Sequence, residues 1–260
     1  MTALSRGRLI VLALSASLLG PPRAHAWPAE LSESIARDAM KLLPRSLVEL
    51  FLANEAEIFS GARTSNVPVL PLLYEGLSQG RLSTATMKAL GEELQNRAKA
   101  LHGPSFRSAV IALGASYRLA VDLADPGVGS GLGSDAKAKA IRREFYLYVG
   151  AHRDKFPLVL SEPDSMKLTL DAVPEFLAGQ LAKTPNRTAL LRVEGQEGGR
   201  VLRYSEIDFL SPVFAVASTA YSRSVCAVAA TWIAVWRSAG GDMKRQRPPR
   251  IINPWPKEQN

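Results

Sequence analysis

The sequence predicts an all-α fold, a single multi-helix domain with at most one small β-hairpin. Apolar residues recur at three- and four-residue spacing along most of the chain, with Ser, Asp or Pro where such runs begin and Gly or Pro where they end. One stretch only, residues 189–204 (ALLRVEGQEGGRVLRY), reads as two short strands around a Gly-Gly turn. The 260 residues are 47% hydrophobic and 22% charged, an ordinary globular balance that excludes disordered, collagen-like and multi-span membrane classes.

Each element has a local justification. Residues 30–43 place Leu31, Ile35, Ala39, Leu42 and Leu43 at helical spacing, and Pro44 ends the run. A second helix follows, with Ser46 as its cap and Leu47, Leu50, Phe51 and Ile58 on one side until Gly61. Residues 62–70 read as a loop, ahead of a short apolar segment reaching Leu77. Ser83 caps a helix over 84–101 that Gly103-Pro104 stops. Residues 105–124 form the most apolar helix of the middle region, closed by Asp125-Pro126-Gly127 and expected to be central. Beyond a glycine-rich loop at 127–133, Ser134 or Asp135 caps a helix to Arg153, and residues 171–183 form another with Pro174 in its first turn. One long helix is expected over 205–238, kinked near Pro212 and ended by Gly240-Gly241, giving about seven helices in all. Residues 213–235 look like a membrane span, yet Arg223 at its middle costs about 2.5 to 3.5 kcal/mol on insertion scales. A buried core helix is expected instead, with Arg223 paired or reaching out to solvent, and hence no transmembrane span in the mature chain.

The two ends carry addresses and charge. Residues 1–8 are basic, residues 9–20 (LIVLALSASLLG) are an apolar run too short to span a bilayer comfortably, and Ala24-His25-Ala26 fits a signal-peptidase site. Residues 1–26 are therefore expected to be a signal peptide, the protein exported to a periplasmic or extracellular space, and Trp27 its mature N-terminus. Removing Arg6, Arg8 and Arg23 leaves 29 basic against 24 acidic groups, a mild excess that gives no strong nucleic-acid signal. The tail, 242–260, is Pro-rich and basic and reads as disordered or laid along the surface. Cys226 has no second Cys to pair with and is expected to be a small buried hydrophobe.

Chemistry is bounded by scarcity. The mature chain has two histidines, His102 and His152, so a site rich in imidazole is excluded. The glycine-rich loop lacks the Gly-Lys-Ser/Thr ending of a phosphate cradle, and no Gly-x-Ser-x-Gly sequence holds a nucleophile.

Trp27 directly after Ala-His-Ala, residues 35–44 (IARDAMKLLP) followed by Gly61-Ala62, residues 113–126 (LGASYRLAVDLADP), residues 141–149 (IRREFYLYV) and residues 232–241 (WIAVWRSAGG) together resemble the zinc-dependent phospholipase C family, whose fold also serves the single-strand zinc nucleases. The resemblance implies an exported all-α phosphodiesterase scaffold in which the amine and carbonyl of an N-terminal Trp bind zinc. It also implies departures. Ser32 stands at the position of the first-helix His, residues 64–66 replace the Pro-Asp after Gly-Ala, and Arg118, Val128 and Ala140 occupy three more His positions. Trp27, Asp122 and Glu144 survive as a vestigial ligand set. By this mapping zinc is expected at low occupancy or not at all, no residue is assigned as catalytic, and Arg118, Arg142 and Arg143 are expected to supply the charge that zinc would have supplied. Against that stands a plainer reading, in which Arg118 and Asp122 form a solvated pair on one helix face.

Three functional readings follow. The first is a degenerate, catalytically inactive phospholipase C-like protein that binds a phospholipid or an envelope protein. A divergent metal-dependent phosphodiesterase with a reduced zinc site is the second. The third is an unrelated helical envelope protein whose Trp27 match is accidental.

Overall fold

A computed structural model describes residues 27–63, 67–128, 132, 135–159, 163–194, 196–197, 199–208 and 211–244. The expected signal peptide and most of the tail lie outside the described residues. Ten α-helices occur among those described: α1 Ala29–Met40, α2 Arg45–Ala53, α3 Glu55–Arg63, α4 Leu70–Gln79, α5 Thr84–Ala100, α6 Phe106–Ser116, α7 Ala136–His152, α8 Val173–Ala182, α9 Thr184–Glu194 and α10 Pro212–Ser238. Two short strands, β1 Gln196–Glu197 and β2 Arg200–Val201, pair antiparallel with Gln196 opposite Val201. The fold class is all-α, as the sequence predicts.

Several helices start on the expected caps. Ser83 Oγ accepts from the Thr86 amide at 3.0 Å, and Asp135 Oδ1 accepts from the Ala138 amide at 2.7 Å. Gly80, at φ +70°, closes α4 in a left-handed conformation that a residue with a Cβ rarely adopts. Ser46 is not a cap. Helix α2 starts directly after Pro44, and the Ser46 hydroxyl donates to the Asp242 carbonyl, which ties the start of the tail to α2.

Where the helix count exceeds the expected seven, a local cause is visible. The expected second helix breaks at Asn54, whose φ of −136° leaves the helical region while its side-chain amide donates to the Leu50 carbonyl. The expected helix over 105–124 ends at Ser116 and continues as two 3₁₀ turns, Tyr117–Leu119 and Val121–Ala124. The first arm of the expected hairpin is helix: residues 189–194 belong to α9, and two short strands remain beyond it. The helix expected over 205–238 starts at Pro212, capped by Ser211, with a separate 3₁₀ turn at Tyr204–Glu206.

One hydrophobic cluster runs from Trp27 through Val235, so a single core organises the described chain. Its spine is α10, which packs against α1, α5, α6, α8 and α9. By length and composition α10 could cross a membrane, with a mean hydropathy of 1.3, yet 72% of its apolar window is buried inside the fold. Trp27 is wholly buried, its ring against Phe145 and Tyr146 and its indole N–H donating to Ser224 Oγ of α10 at 3.1 Å. The start of the described chain is thereby fastened to its last helix.

The closest helix crossing is α3 on α6. A Cβ at Gly61 would lie 2.1 Å from the Ile111 carbonyl oxygen, and one at Gly114 would lie 2.1 Å from that of Ile58. Both obstacles are backbone, which cannot rotate aside. Gly114→Ala is therefore expected to lower the melting temperature by at least about 5 °C in a circular-dichroism melt. Gly179→Ala serves as the control: it lies inside α8 with open space around its Cβ, and should be neutral or slightly stabilising.

Candidate functional site

Residues 112–127 are buried without interruption, so this stretch has no solvent-facing side. Its polar groups must find partners inside the protein. Arg118 and Asp122 lie in the two 3₁₀ turns, their side chains only 5% and 4% exposed, with Arg118 Nη2 3.3 Å from Asp122 Oδ2. Tyr74 of α4 completes the cluster: its hydroxyl donates to Asp122 Oδ2 at 3.2 Å and accepts from Arg118 Nη2. Burial, and then the charge of Asp122, pushes the Tyr74 phenol up to about 12, so it stays protonated as the donor. The solvated surface pair is excluded by this burial, and Arg118 holds Asp122 as a compensated interior charge.

Above this cluster is a cavity of about 300 Å3 lined by Trp27, Ala29, Ser32, Glu33, Phe59, Ala62, Arg63, Tyr117 and Arg118. Three elements deliver the lining: α1 brings Ser32 and Glu33, the end of α3 brings Phe59, Ala62 and Arg63, and the first 3₁₀ turn brings Tyr117 and Arg118. The Ser32 hydroxyl donates to the Trp27 carbonyl at 3.2 Å, and the Tyr117 hydroxyl donates to the Ser32 carbonyl at 2.6 Å. Arg63 and Glu33 pair at 3.1 Å with both side chains partly in water. The surface is thus mostly apolar and aromatic, with one guanidinium on its inner side and an ion pair at its mouth.

A second acid sits just beyond. Asp125 is fully buried and folds the chain around itself, Oδ1 accepting from the Gly127 amide at 2.7 Å and Oδ2 from the Tyr146 hydroxyl at 2.7 Å. A Cβ at Gly127 would lie 2.5 Å from the Tyr146 oxygen, so glycine is what lets the phenol reach the acid. Burial pushes the Asp125 carboxyl up to about 7; the hydrogen bonds from Tyr146 and Gly127 oppose the rise and Asp122 adds to it.

The residues read from the sequence therefore divide. Trp27, Ser32 and Arg118 line one cavity, and Asp122 pairs with Arg118. Glu144 stands elsewhere: it accepts from the Tyr204 amide at 3.0 Å and pairs with exposed Arg143 at 3.0 Å, in a crevice with Ile141, Leu191, Val201 and Leu202. On α7, Phe145 and Tyr146 rather than Glu144 meet Trp27, because successive helical residues point about 100° apart. Arg142 donates to the Gly127 carbonyl and so serves the Asp125 turn. Of the three arginines expected near the retained carboxylates, Arg118 pairs with Asp122 in the interior, Arg143 pairs with Glu144 at the surface, and the charge of Arg142 acts on Asp125. His152 ends α7 against the Tyr148 carbonyl and ring, and His102 is exposed after α5. Cys226 is half-buried rather than fully buried, and donates to the Val159 carbonyl.

This donor set does not fit the zinc that the resembled family binds. The Trp27 carbonyl accepts the Ser32 hydroxyl, Asp122 is paired with a guanidinium through Oδ2, and Glu144 stands in a separate crevice. Among the described residues no three His, Cys, Asp or Glu side chains gather where a metal ion could sit. Comparison with family models, with curated proteins and with solved structures returns no match.

Tyr74, Phe59, Arg63 and Asp125 belong to the site and were not singled out by sequence. Tyr74 carried a signal: it falls in the buried stripe of α4 with Leu70, Leu73 and Leu77, and a phenol in such a stripe needs a partner. Asp-Pro-Gly likewise announces a turn, though not that the turn is buried.

Removing the guanidinium should leave Asp122 buried without it. Arg118→Ala is expected to cost about 3 to 5 kcal/mol, which lowers the melting temperature by roughly 10 °C; a drop of a degree or less would refute the buried pair. Asp125 gives a pH test. Its folded value lies above the ordinary 3.8, so its protonation adds stability that is complete below that value and is lost as pH rises through about 7. Melts between pH 4 and 8 should show the wild type losing stability relative to Asp125→Asn as pH rises, with the gap constant above that window.

Proposed function

We propose that this chain is an exported helical protein on a phospholipase C-like scaffold that binds a phosphodiester-bearing lipid without hydrolysing it. The observation that carries the reading is the cavity beside Trp27, apolar on most of its walls with the Arg118 guanidinium on the inner side. Such a lining complements an amphipathic anion: acyl or glycerol carbons against Trp27, Phe59 and Tyr117, and phosphate oxygens toward the guanidinium. Further support comes from convergence. Trp27, Ser32 and Arg118 occupy three positions that the resemblance assigns to zinc ligands, and these three line one cavity. A signal peptide ending at Ala26 would add the Trp27 amine to the same region, a second cation suited to phosphate.

The reading is tested with the secreted protein carrying its native N-terminus. Titration with dihexanoyl-phosphatidylglycerol below its micelle concentration should change tryptophan emission saturably, and Trp27→Phe should lose that change. The same preparation, loaded with zinc and desalted, should retain less than one zinc per chain and release no phosphomonoester from the lipid. An unchanged emission would dismiss the lipid ligand, and two or three retained zinc ions with turnover would make the protein a metal-dependent phosphodiesterase.

A further inference from the structure

A second cationic site lies on the other side of the buried segment, independent of the cavity at Trp27. Arg187 sits in the first turn of α9, 7% exposed, and Arg223 sits half-buried on α10, which packs against α9. Neutral groups hold both. Arg187 Nη2 donates to Thr184 Oγ1 at 3.0 Å, and Arg223 Nη1 donates to Gln180 Oε1 at 3.3 Å. The Nε–H groups of both are buried without an acceptor, and among the described residues neither guanidinium forms an ion pair. Arg187 is depressed to about 10, by burial first and then by the charge of Arg223, with no acid acting on it.

This arrangement contrasts with the other buried guanidinium. Arg118 has Asp122 for compensation, whereas Arg187 and Arg223 repel each other in a poorly solvated place and keep donors unspent. The position compounds the effect, because the first turn of a helix carries partial positive charge and its amides point outward. Two guanidiniums and a helix start, without a carboxylate, are the chemistry that receives an oxyanion.

We infer that the paired Arg187 and Arg223, at the start of α9, form a binding site for a small free oxyanion, inorganic phosphate or sulfate. A tetrahedral dianion offers acceptors for the unspent N–H groups and would neutralise both cations. The free ion rather than a lipid phosphate is the occupant, because Arg187 is over nine-tenths buried and only the Arg223 side opens toward solvent. Thr184 and Thr188 add rigidity, their hydroxyls donating to the Leu123 and Pro126 carbonyls at 2.8 and 2.9 Å, so α9 is locked to the central segment before any ion arrives.

The test is isothermal calorimetry of the full mature chain with sodium phosphate and with sodium sulfate at millimolar concentrations and constant ionic strength. Saturable binding is expected, weakened by at least about tenfold in Arg187→Met and in Arg223→Met. Both variants should melt no lower than the wild type without added anion, since each removes a buried unpaired charge. Only the wild type should gain melting temperature with phosphate. Arg223→Met, at the half-buried position, decides the matter should Arg187→Met not fold. Absence of saturable binding, or equal binding by the variants, overturns the site. Vesicles of phosphatidylglycerol form the other arm: binding to them through these arginines, without binding of the free ion, overturns the assignment to a small oxyanion.

Discussion

Burying residues 112–127 whole constrains the rest of the protein, because a stretch with no face to water must satisfy every amide, carbonyl and charge from within. Regular α-helix stops at Ser116, and tighter 3₁₀ winding carries the chain through Ala124. The carbonyls freed at the end of that winding are taken up by side chains from a distant helix: Thr184 reaches Leu123 and Thr188 reaches Pro126. Tyr74 from α4 and Tyr146 from α7 supply phenols to Asp122 and Asp125. Three helices, α4, α7 and α9, are thus fixed in position by the polar needs of one segment, while α10 and Trp27 close the apolar part of the core around it.

Charge in the interior is distributed unevenly about that segment. One flank carries two carboxylates, Asp122 and Asp125, against Arg118 and the side chain of Arg142; the other carries Arg187 and Arg223 with neutral partners only. In a medium of low polarity a compensated pair costs little beyond its desolvation, whereas like charges facing each other raise the energy of the folded state. A fold that keeps the second arrangement within one helix of the first has not merely failed to exclude charge from its core. Asp125 tolerates burial by hydrogen bonding and by a raised proton affinity; the two arginines have neutral partners, and the inferred anion would supply the compensation they lack.

The sequence made the fold class and most helix starts legible because these depend on short-range signals: Ser83, Asp135 and Pro174 each act within one turn. It hid α9. The buried stripe of that helix is Thr184, Arg187, Thr188 and Leu191, at perfect helical spacing, but three of the four are polar, so a search for apolar periodicity passes over it and finds instead the Gly-Gly turn beyond. The same blindness concealed the arginine pair. At the candidate site, the i, i+4 spacing of Arg118 and Asp122 gave the pair but not its burial, which depends on elements distant in sequence, among them α4 with Tyr74 and α10. Glu144 fails for a geometric reason, since its helix turns Phe145 and Tyr146 toward Trp27 and leaves the carboxylate to the Tyr204 turn.

A guanidinium beside Asp122 can do part of what a dication would do there, and the difference defines the proposed function. It neutralises the carboxylate, permits its burial and presents N–H groups toward the cavity, all with a charge that does not vary over physiological pH. It has no open coordination position and does not acidify a water, the two properties by which a metal turns phosphodiester binding into hydrolysis. Its fixed planar fork also cannot leave, so the wall of the cavity is permanent where a metal site would depend on supply. Around it the uncharged lining has stayed apolar and aromatic, which is the surface a lipid fragment requires and a water nucleophile does not. On the reading proposed above, this residue set supplies affinity for an amphipathic anion and leaves turnover to a group it does not itself contain.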